Sequence, residues 1–431
     1  MSILPSFAKT DLTEKAQDKI YVVLIGDEDL PLQGEGPPAW PPAYNDYTAL
    51  LGALGGTEGF APAAIFFDIL FENAPESIDE VNALCDQANK ITNENGAPVI
   101  FAALPDLKKG LMPMPSALGL CDASVETAAV GWRAGAGLYP FSVNLNGAAT
   151  DTAAAALYRI AAERGDVNKA NAVWAPGDSA SNVSEMRTVW GAIAPSGQGC
   201  RNYRGRLIEK LGHSAKILAS GLIPHRAARK SFDYVQPCAY HEVLSARAII
   251  NAPPEERVTY AAILDGAYIF VGADVRGIPD FVDSPVHGLL PGVFLHSMAL
   301  DNMMTFEDRY LRDAPSIRMP MGGFAVGLDV LLQTILLLAL ALSLAFLRSQ
   351  RNRTEEEAPQ GHGFNLWIAG FSQNLVYFTL FAIVVFTVAA IAFSVGRWAP
   401  INYGGVLIAG GGMVFSKPFV ESALRRSKSE N

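Results

Sequence analysis

The hydrophobic positions fall into two regimes. From Ile20 to about Met304, short continuous apolar runs alternate with stretches of mixed polarity, whereas from Phe324 onward the apolar runs lengthen to bilayer scale. The run IYVVLIGDEDL, Ile20–Leu30, is rich in β-branched residues and does not alternate, which predicts a strand buried on both faces, as in a parallel sheet covered by helices. The runs PAAIFFDILF (Pro62–Phe71), PVIFAAL (Pro98–Leu104) and AYIFVGAD (Ala267–Asp274) predict further strands. Between and after them helices are predicted at Tyr47–Leu54, Pro75–Lys90, Thr150–Gly165, Tyr240–Ile249 and Gly292–Met304. Thr150 or Asp151 is expected to cap the third of these and Gly165 to stop it. Alternating strands and helices of this kind predict an α/β domain with a largely parallel sheet flanked by helices.

The second regime predicts membrane helices. FAVGLDVLLQTILLLALALSLAFL, residues 324–347, carries Asp329 as its one charge, and from Val330 it would span about 27 Å as a helix. LVYFTLFAIVVFTVAAIAFSV, residues 375–395, has no charge, with Tyr377 and Trp398 near its ends where interfacial aromatics are expected. A third window, residues 400–416, is shorter and glycine-rich, and its small residues suit close packing against another span. The tail is therefore expected to be a transmembrane helical hairpin or a three-helix anchor. Arg348, Arg351 and Arg353 place the linker 348–374 in the cytoplasm, and Lys417, Arg425, Arg426 and Lys428 place the tail 417–431 there too. Three spans then leave residues 20–312 outside the cytoplasm.

That orientation meets a difficulty at residues 1–19, which have no apolar segment able to act as a signal peptide or anchor. Three explanations stay open: a start lying upstream, export by another route, or a cytoplasmic domain for which the charge rule misleads. The first is the expectation.

Composition sharpens the picture in few places. The 431 residues are 50% hydrophobic and 18% charged, with a formal net charge of −10, which excludes a disordered chain and speaks against nucleic acid as a partner. The basic residues between Arg187 and Lys230 run against that average and read as a solvated loop inside a less regular insertion, residues 139–232. Cys85, Cys121, Cys200 and Cys238 lack metal-type spacing, and no metal or cofactor is expected. If an exported domain used one disulfide, Cys200 with Cys238 is the preferred pair, with buried free thiols as the alternative. Ligands of parallel α/β sheets bind beyond the carboxyl ends of the strands, which makes Asp27, Glu28 and Asp68 candidate ligand-binding residues. Helix capping or loop-amide binding is the competing role for each.

Several short motifs then occur in one order: VVLIGDEDL, the pair Trp40–Pro41, AAIFFDILF with Asp68, IFVGA, an Asp-x-x-x-Ser-Pro element, and PGVFLHSMALDN with Pro291, Gly292, Val293, His296 and Asn302. The segment Ile20–Tyr310 resembles the type-two CHASE domain, an extracellular sensing module of bacteria. The resemblance implies a sensor followed by three closely spaced membrane helices, and adds His296 and Asn302 to the candidate ligand-binding residues. Family members usually carry a cytoplasmic output module and a membrane helix before the domain. About fifteen residues follow the third window here, so the expectation is a sensor that passes its signal to a separate effector protein. A structural subunit of a membrane complex is the alternative function, and the organisation leaves room for a homodimer.

Catalysis is not expected. Gly177, Asp178 and Ser179 resemble the start of a GDSL-type esterase motif, but Ala180 stands at the leucine position and no Asp-x-x-His element follows to supply a base. The signal, a small molecule or a protein, is left unnamed by the residues.

Overall fold

The computed structural model describes residues 16–33, 39–55, 60–71, 77–104, 126–131, 138–145, 148–167, 185–190, 239–276, 280–284, 288–312, 316–318, 325–355, 376–385, 387–388 and 406. The chain divides into two units, Ser6–Leu311 on one side and Met1–Pro5 with Arg312–Asn431 on the other.

The strands of the first unit are β1 (Ile20–Gly26), β2 (Ala64–Phe67), β3 (Val99–Ala103), β4 (Glu126–Ala129), β5 (Leu138–Tyr139), β6 (Ser142–Leu145), β7 (Ala148–Asp151), β8 (Met186–Arg187), β9 (Glu242–Ser245), β10 (Tyr268–Asp274), β11 (Phe281–Ser284) and β12 (Gly288–Pro291). Its helices are α1 (Tyr44–Leu54), α2 (Ile78–Asn95), α3 (Ala153–Arg164), α4 (Ala246–Ile250), α5 (Pro254–Leu264) and α6 (Val293–Phe306). Six strands form one sheet in the order β4-β3-β2-β10-β1-β9, with every neighbouring pair parallel. The remaining pairs are short antiparallel ribbons: β5 with β8, β6 with β7 and β11 with β12.

The unalternating runs are explained by two cores. On one face Val22, Phe66, Ile100 and Phe270 pack beneath α3 and α6; on the other Val23, Ile65, Phe67, Phe101 and Val271 pack beneath α1, α2 and α4. Successive residues of each strand therefore both find apolar cover. Two features set how closely helices approach the first face. Ala153 to Ala156 are all buried at the start of α3, and Gly272 lies under α6 so tightly that a Cβ there would stand 2.5 Å from the Cβ of Val293.

Three predicted elements differ in detail. The strand beginning at Ile20 stops at Gly26, because the carboxylate of Asp29 accepts a hydrogen bond from the Gly26 amide at 2.7 Å and turns Asp27–Asp29 into one 3-10 turn. Tyr240–Ile249 is not one helix. Val243 and Leu244 pair with β1 as its edge neighbour, and α4 begins only after Ser245, whose hydroxyl accepts from the Ala248 amide. Helix α3 starts after Thr152 instead of Thr150 or Asp151, which belong to β7, and Asp151 is bound to Arg159 at 2.6 Å. Helix α5 has no buried apolar stripe beyond Leu264, so its sequence carries no helical periodicity to recognise.

In the second unit β13 (Ser316–Arg318) pairs antiparallel with β14 (Ala325–Gly327), and α7 runs from Leu328 to Glu355. The apolar window read from Phe324 is thus helical only from Leu328. The side chains of α7 are described at 328 and over 330–343, and residues 376–385 are also helical. Leu340, Phe381, Val385 and Val406 form a buried cluster, while Ile335, Leu338, Leu342, Leu380 and Ile383 all point outward. Among the described residues no helix is long and apolar enough to cross a membrane. Most of the window at 400–416 and the segment 389–395 lie outside the described residues.

Two glycines separate steric from conformational demands. Gly272→Ala forces the added methyl into Val293 and should lower unfolding stability by about 1–3 kcal/mol. Gly96, at φ +66° with open space around it, should cost about 1 kcal/mol as alanine, from the left-handed backbone alone. Denaturant midpoints for both variants check the ranking, which fails if Gly96→Ala is the more damaging.

Candidate functional site

The carboxyl edge of the sheet carries two polar groups of different character. The outer one lies where β1 and β10 end side by side. Asp27 accepts hydrogen bonds from the Arg276 side chain at 2.6 Å and from its amide at 3.2 Å. Hydrogen bonding to that guanidinium holds the Asp27 carboxyl below its ordinary range. Across from it Asp274 is pushed up by burial and by the charges of Glu28 and Asp27. Arg276 is 93% exposed, so this pair is a solvent-screened contact.

The inner group is enclosed. One backbone hydrogen bond past the end of β2, the Asp68 amide donates to the Val271 carbonyl at 2.7 Å, which fixes Asp68 on the same face as Phe66, beneath α6. Its side chain is only 9% exposed, and Nε2 of His296 lies 3.7 Å from one of its carboxyl oxygens. His296 comes from the first turn of α6. Its Nδ1 lies 2.8 Å from the Tyr139 hydroxyl, and that oxygen in turn accepts the amide of Ala154 at 3.0 Å. With its oxygen already accepting from α3, the phenol turns its hydrogen toward Nδ1, which leaves the ring proton on Nε2, the atom facing Asp68. A phenol thereby takes the place of the expected side-chain cap on α3, while the Thr152 hydroxyl donates to the Pro140 carbonyl at 2.9 Å.

Burial governs the titration of all three groups. Desolvation lowers His296 to about 3, so the imidazole is neutral. Desolvation raises Asp68 well above the carboxylate range, and the nearby charge of Asp280 raises it further. Tyr139 is raised by burial as well. Asp280 also crosses the start of α6: its carbonyl accepts from the Gly292 amide at 3.0 Å, and its carboxyl fills the space where a Gly292 Cβ would stand.

The structure brings Asp68 and His296 together and Asp27 and Glu28 together. It gives Asn302 other work. The Asn302 side chain accepts from the Val189 amide at 2.8 Å and donates to the Val189 and Met298 carbonyls at 2.8 and 2.6 Å, which uses its amide to hold the segment after β8. The next residue back, Asp301, lies 3.3 Å from His241 just before β9. Helix α6 thus ties three segments through His296, Asp301 and Asn302. Sequence reasoning missed Tyr139, which sits in a two-residue strand without periodicity at the border of the insertion, and Asp29, which also accepts from Ser245. Asp280 carried a signal, since it is the aspartate of the Asp-x-x-x-Ser-Pro element.

Cys85 is buried in α2 and disulfide-bonded; the other three cysteines, including the preferred pair Cys200 and Cys238, lie outside the described residues, as do Gly177, Asp178 and Ser179. Among the described residues no group of three or more His, Cys, Asp or Glu side chains is arranged to hold a metal ion.

An all-parallel sheet covered on both faces, with an enclosed acid, imidazole and phenol beyond its second strand, defines an α/β domain with a candidate site at the carboxyl edge. The chain belongs to the CHASE2 domain family, whose sequence profile matches residues 5–345 and so reaches past the resemblance seen at Ile20–Tyr310 into the first apolar window. CHASE2 is an extracellular sensory domain family, in accord with a sensor. No curated protein and no solved structure matches the chain.

The inner group has a stability signature. Folding raises the Asp68 pKa, so its contribution is most favourable below the unfolded value of about 3.9 and is lost as pH rises through the folded value. Folding lowers the His296 pKa from 6.5 to about 3, so its contribution is present above 6.5 and is lost as pH falls toward 3. Asp68→Asn removes the first and keeps the second. The variant should unfold at a higher temperature than wild type at pH 7, with the gap closing toward pH 4; a lower midpoint at pH 7 would contradict the burial of a raised carboxyl.

Asn302→Ala should cost about 1–3 kcal/mol, because the Val189 amide and carbonyl lose their partners in a buried setting. Urea midpoints of the full chain measure it.

Proposed function

We propose that the protein is a membrane-anchored, extracytoplasmic sensor that binds its signal at the Asp68–His296 site and hands the change to a separate membrane or cytoplasmic effector. The carrying observation is the placement of the enclosed group on α6. This helix begins at the site, is tied by Asp301 and Asn302 to two further segments, and ends at Phe306, a few residues before the second unit begins at Arg312. A ligand that favours one seating of His296 against Asp68 biases the position of α6, and a bias of this kind needs only differential affinity for two states.

Two observations support the compartment. The outward-facing Ile335, Leu338, Leu342, Leu380 and Ile383 expose aliphatic surface that costs about 25 cal/mol per Å2 in water and nothing comparable in lipid. A disulfide at Cys85 suits an oxidising compartment. No residue in either polar group has the nucleophile and adjacent base of a covalent catalyst, and the reading is of a non-enzymatic protein.

Alkaline phosphatase fused after Pro315 of the full-length protein should be active in bacterial cells, and green fluorescent protein fused after Asn431 should be fluorescent. A silent phosphatase together with a soluble chain would overturn the extracytoplasmic reading.

A further inference from the structure

We propose that the site beyond β2 takes an organic cation, an amine, quaternary ammonium or guanidinium group, with Asp68 as its counter-ion. The inference rests on the reading of this site as the signal site and adds the chemical class of the signal.

Three observations carry it. Asp68 is enclosed to 9% exposure, and the polar contact of its carboxyl among the described residues is the long one to Nε2 of His296. His296 lies 3.7 Å away, beyond hydrogen-bonding distance, and its neutral ring supplies no charge. Enclosing a carboxyl with one long contact to a neutral imidazole is costly, and a bound cation with N–H donors or a diffuse positive charge relieves that cost directly.

The surroundings have the same sign. Asp280 lies over the first turn of α6, and Asp27, Glu28 and Asp274 stand at the neighbouring strand ends. The basic side chain described at this edge, Arg276, is spent on Asp27 and faces solvent. An anion approaching Asp68 meets a field of carboxylates, whereas a cation lets this enclosed carboxyl, which burial disposes toward its protonated form, ionise against it. Phe66 and Tyr139 set their rings edge-on to His296 at 5.8 and 5.7 Å, bringing aromatic surface to the same place, which suits an organic cation over a hydrated one.

The test is calorimetric titration of the full chain in detergent at fixed ionic strength. Putrescine, choline and guanidinium are the cationic probes; glutamate, inorganic phosphate and glucose are the comparators. At least one cation should bind saturably, Asp68→Asn should weaken it by tenfold or more, and Asp280→Asn by several-fold. Asp27→Asn should change it less than twofold. Thermal midpoints confirm that each variant is folded. Saturable binding of glutamate, phosphate or glucose, lost in both Asp68→Asn and His296→Ala, would overturn the cation while keeping the site. Binding of any probe that neither variant weakens would overturn the site itself, and absence of binding by all three cations would overturn the proposal.

Discussion

The approach of α6 to the sheet at Gly272 is the constraint on which the other contacts depend. With a hydrogen in place of a side chain on β10, the first turn of α6 comes down onto the strand backbone through Val293. That contact sets the height of the helix, and the helical repeat then sets everything along it. One turn on, His296 reaches the level of Asp68; about one and a half turns further, Asp301 and Asn302 arrive at His241 and Val189. The alanines of α3 play the complementary part on the same face, letting its amino terminus come close enough for the Ala154 amide to reach Tyr139.

The two acidic groups at the carboxyl edge show how environment divides residues of one chemical type. Asp27 and Asp68 both follow strands of the same sheet. Asp27 meets a guanidinium in water, where the pair is screened and contributes little. Asp68 has an imidazole and a phenol around it and little water, so each interaction it makes is worth more and each one it lacks costs more. A response to a signal is easier to build from the second kind.

Much of the fold could be read from local pattern. The unalternating runs of β1, β2, β3 and β10 announced strands buried on both faces, and the stretch before Gly165 announced α3, because each rests on composition within a few residues. What escaped depended on distant partners. β9 is a strand because β1 lies beside it, and α5 shows no stripe because little of it is buried. In the site, Asp68 and His296 were visible as residues, from strand-end position and from a motif. Their meeting was not, nor was the link through Tyr139, more than 150 positions from His296 along the chain. Asn302 shows the reverse: its motif position drew attention to a ligand role, while its amide proves committed to the Val189 backbone.

The order of the sheet has a consequence for how the domain comes into being. β10 lies between β1 and β2, so the strand at the centre is supplied by residues 268–274, long after its neighbours at 20–26 and 64–67 have been synthesised. Until it arrives, β1 and β2 face each other across a missing strand, and both apolar faces lack their middle. Closure of loops of this length is slow, and the waiting edges are open to misassembly. A chain emerging from the ribosome therefore holds an unfinished sheet until residues 268–274 have been made.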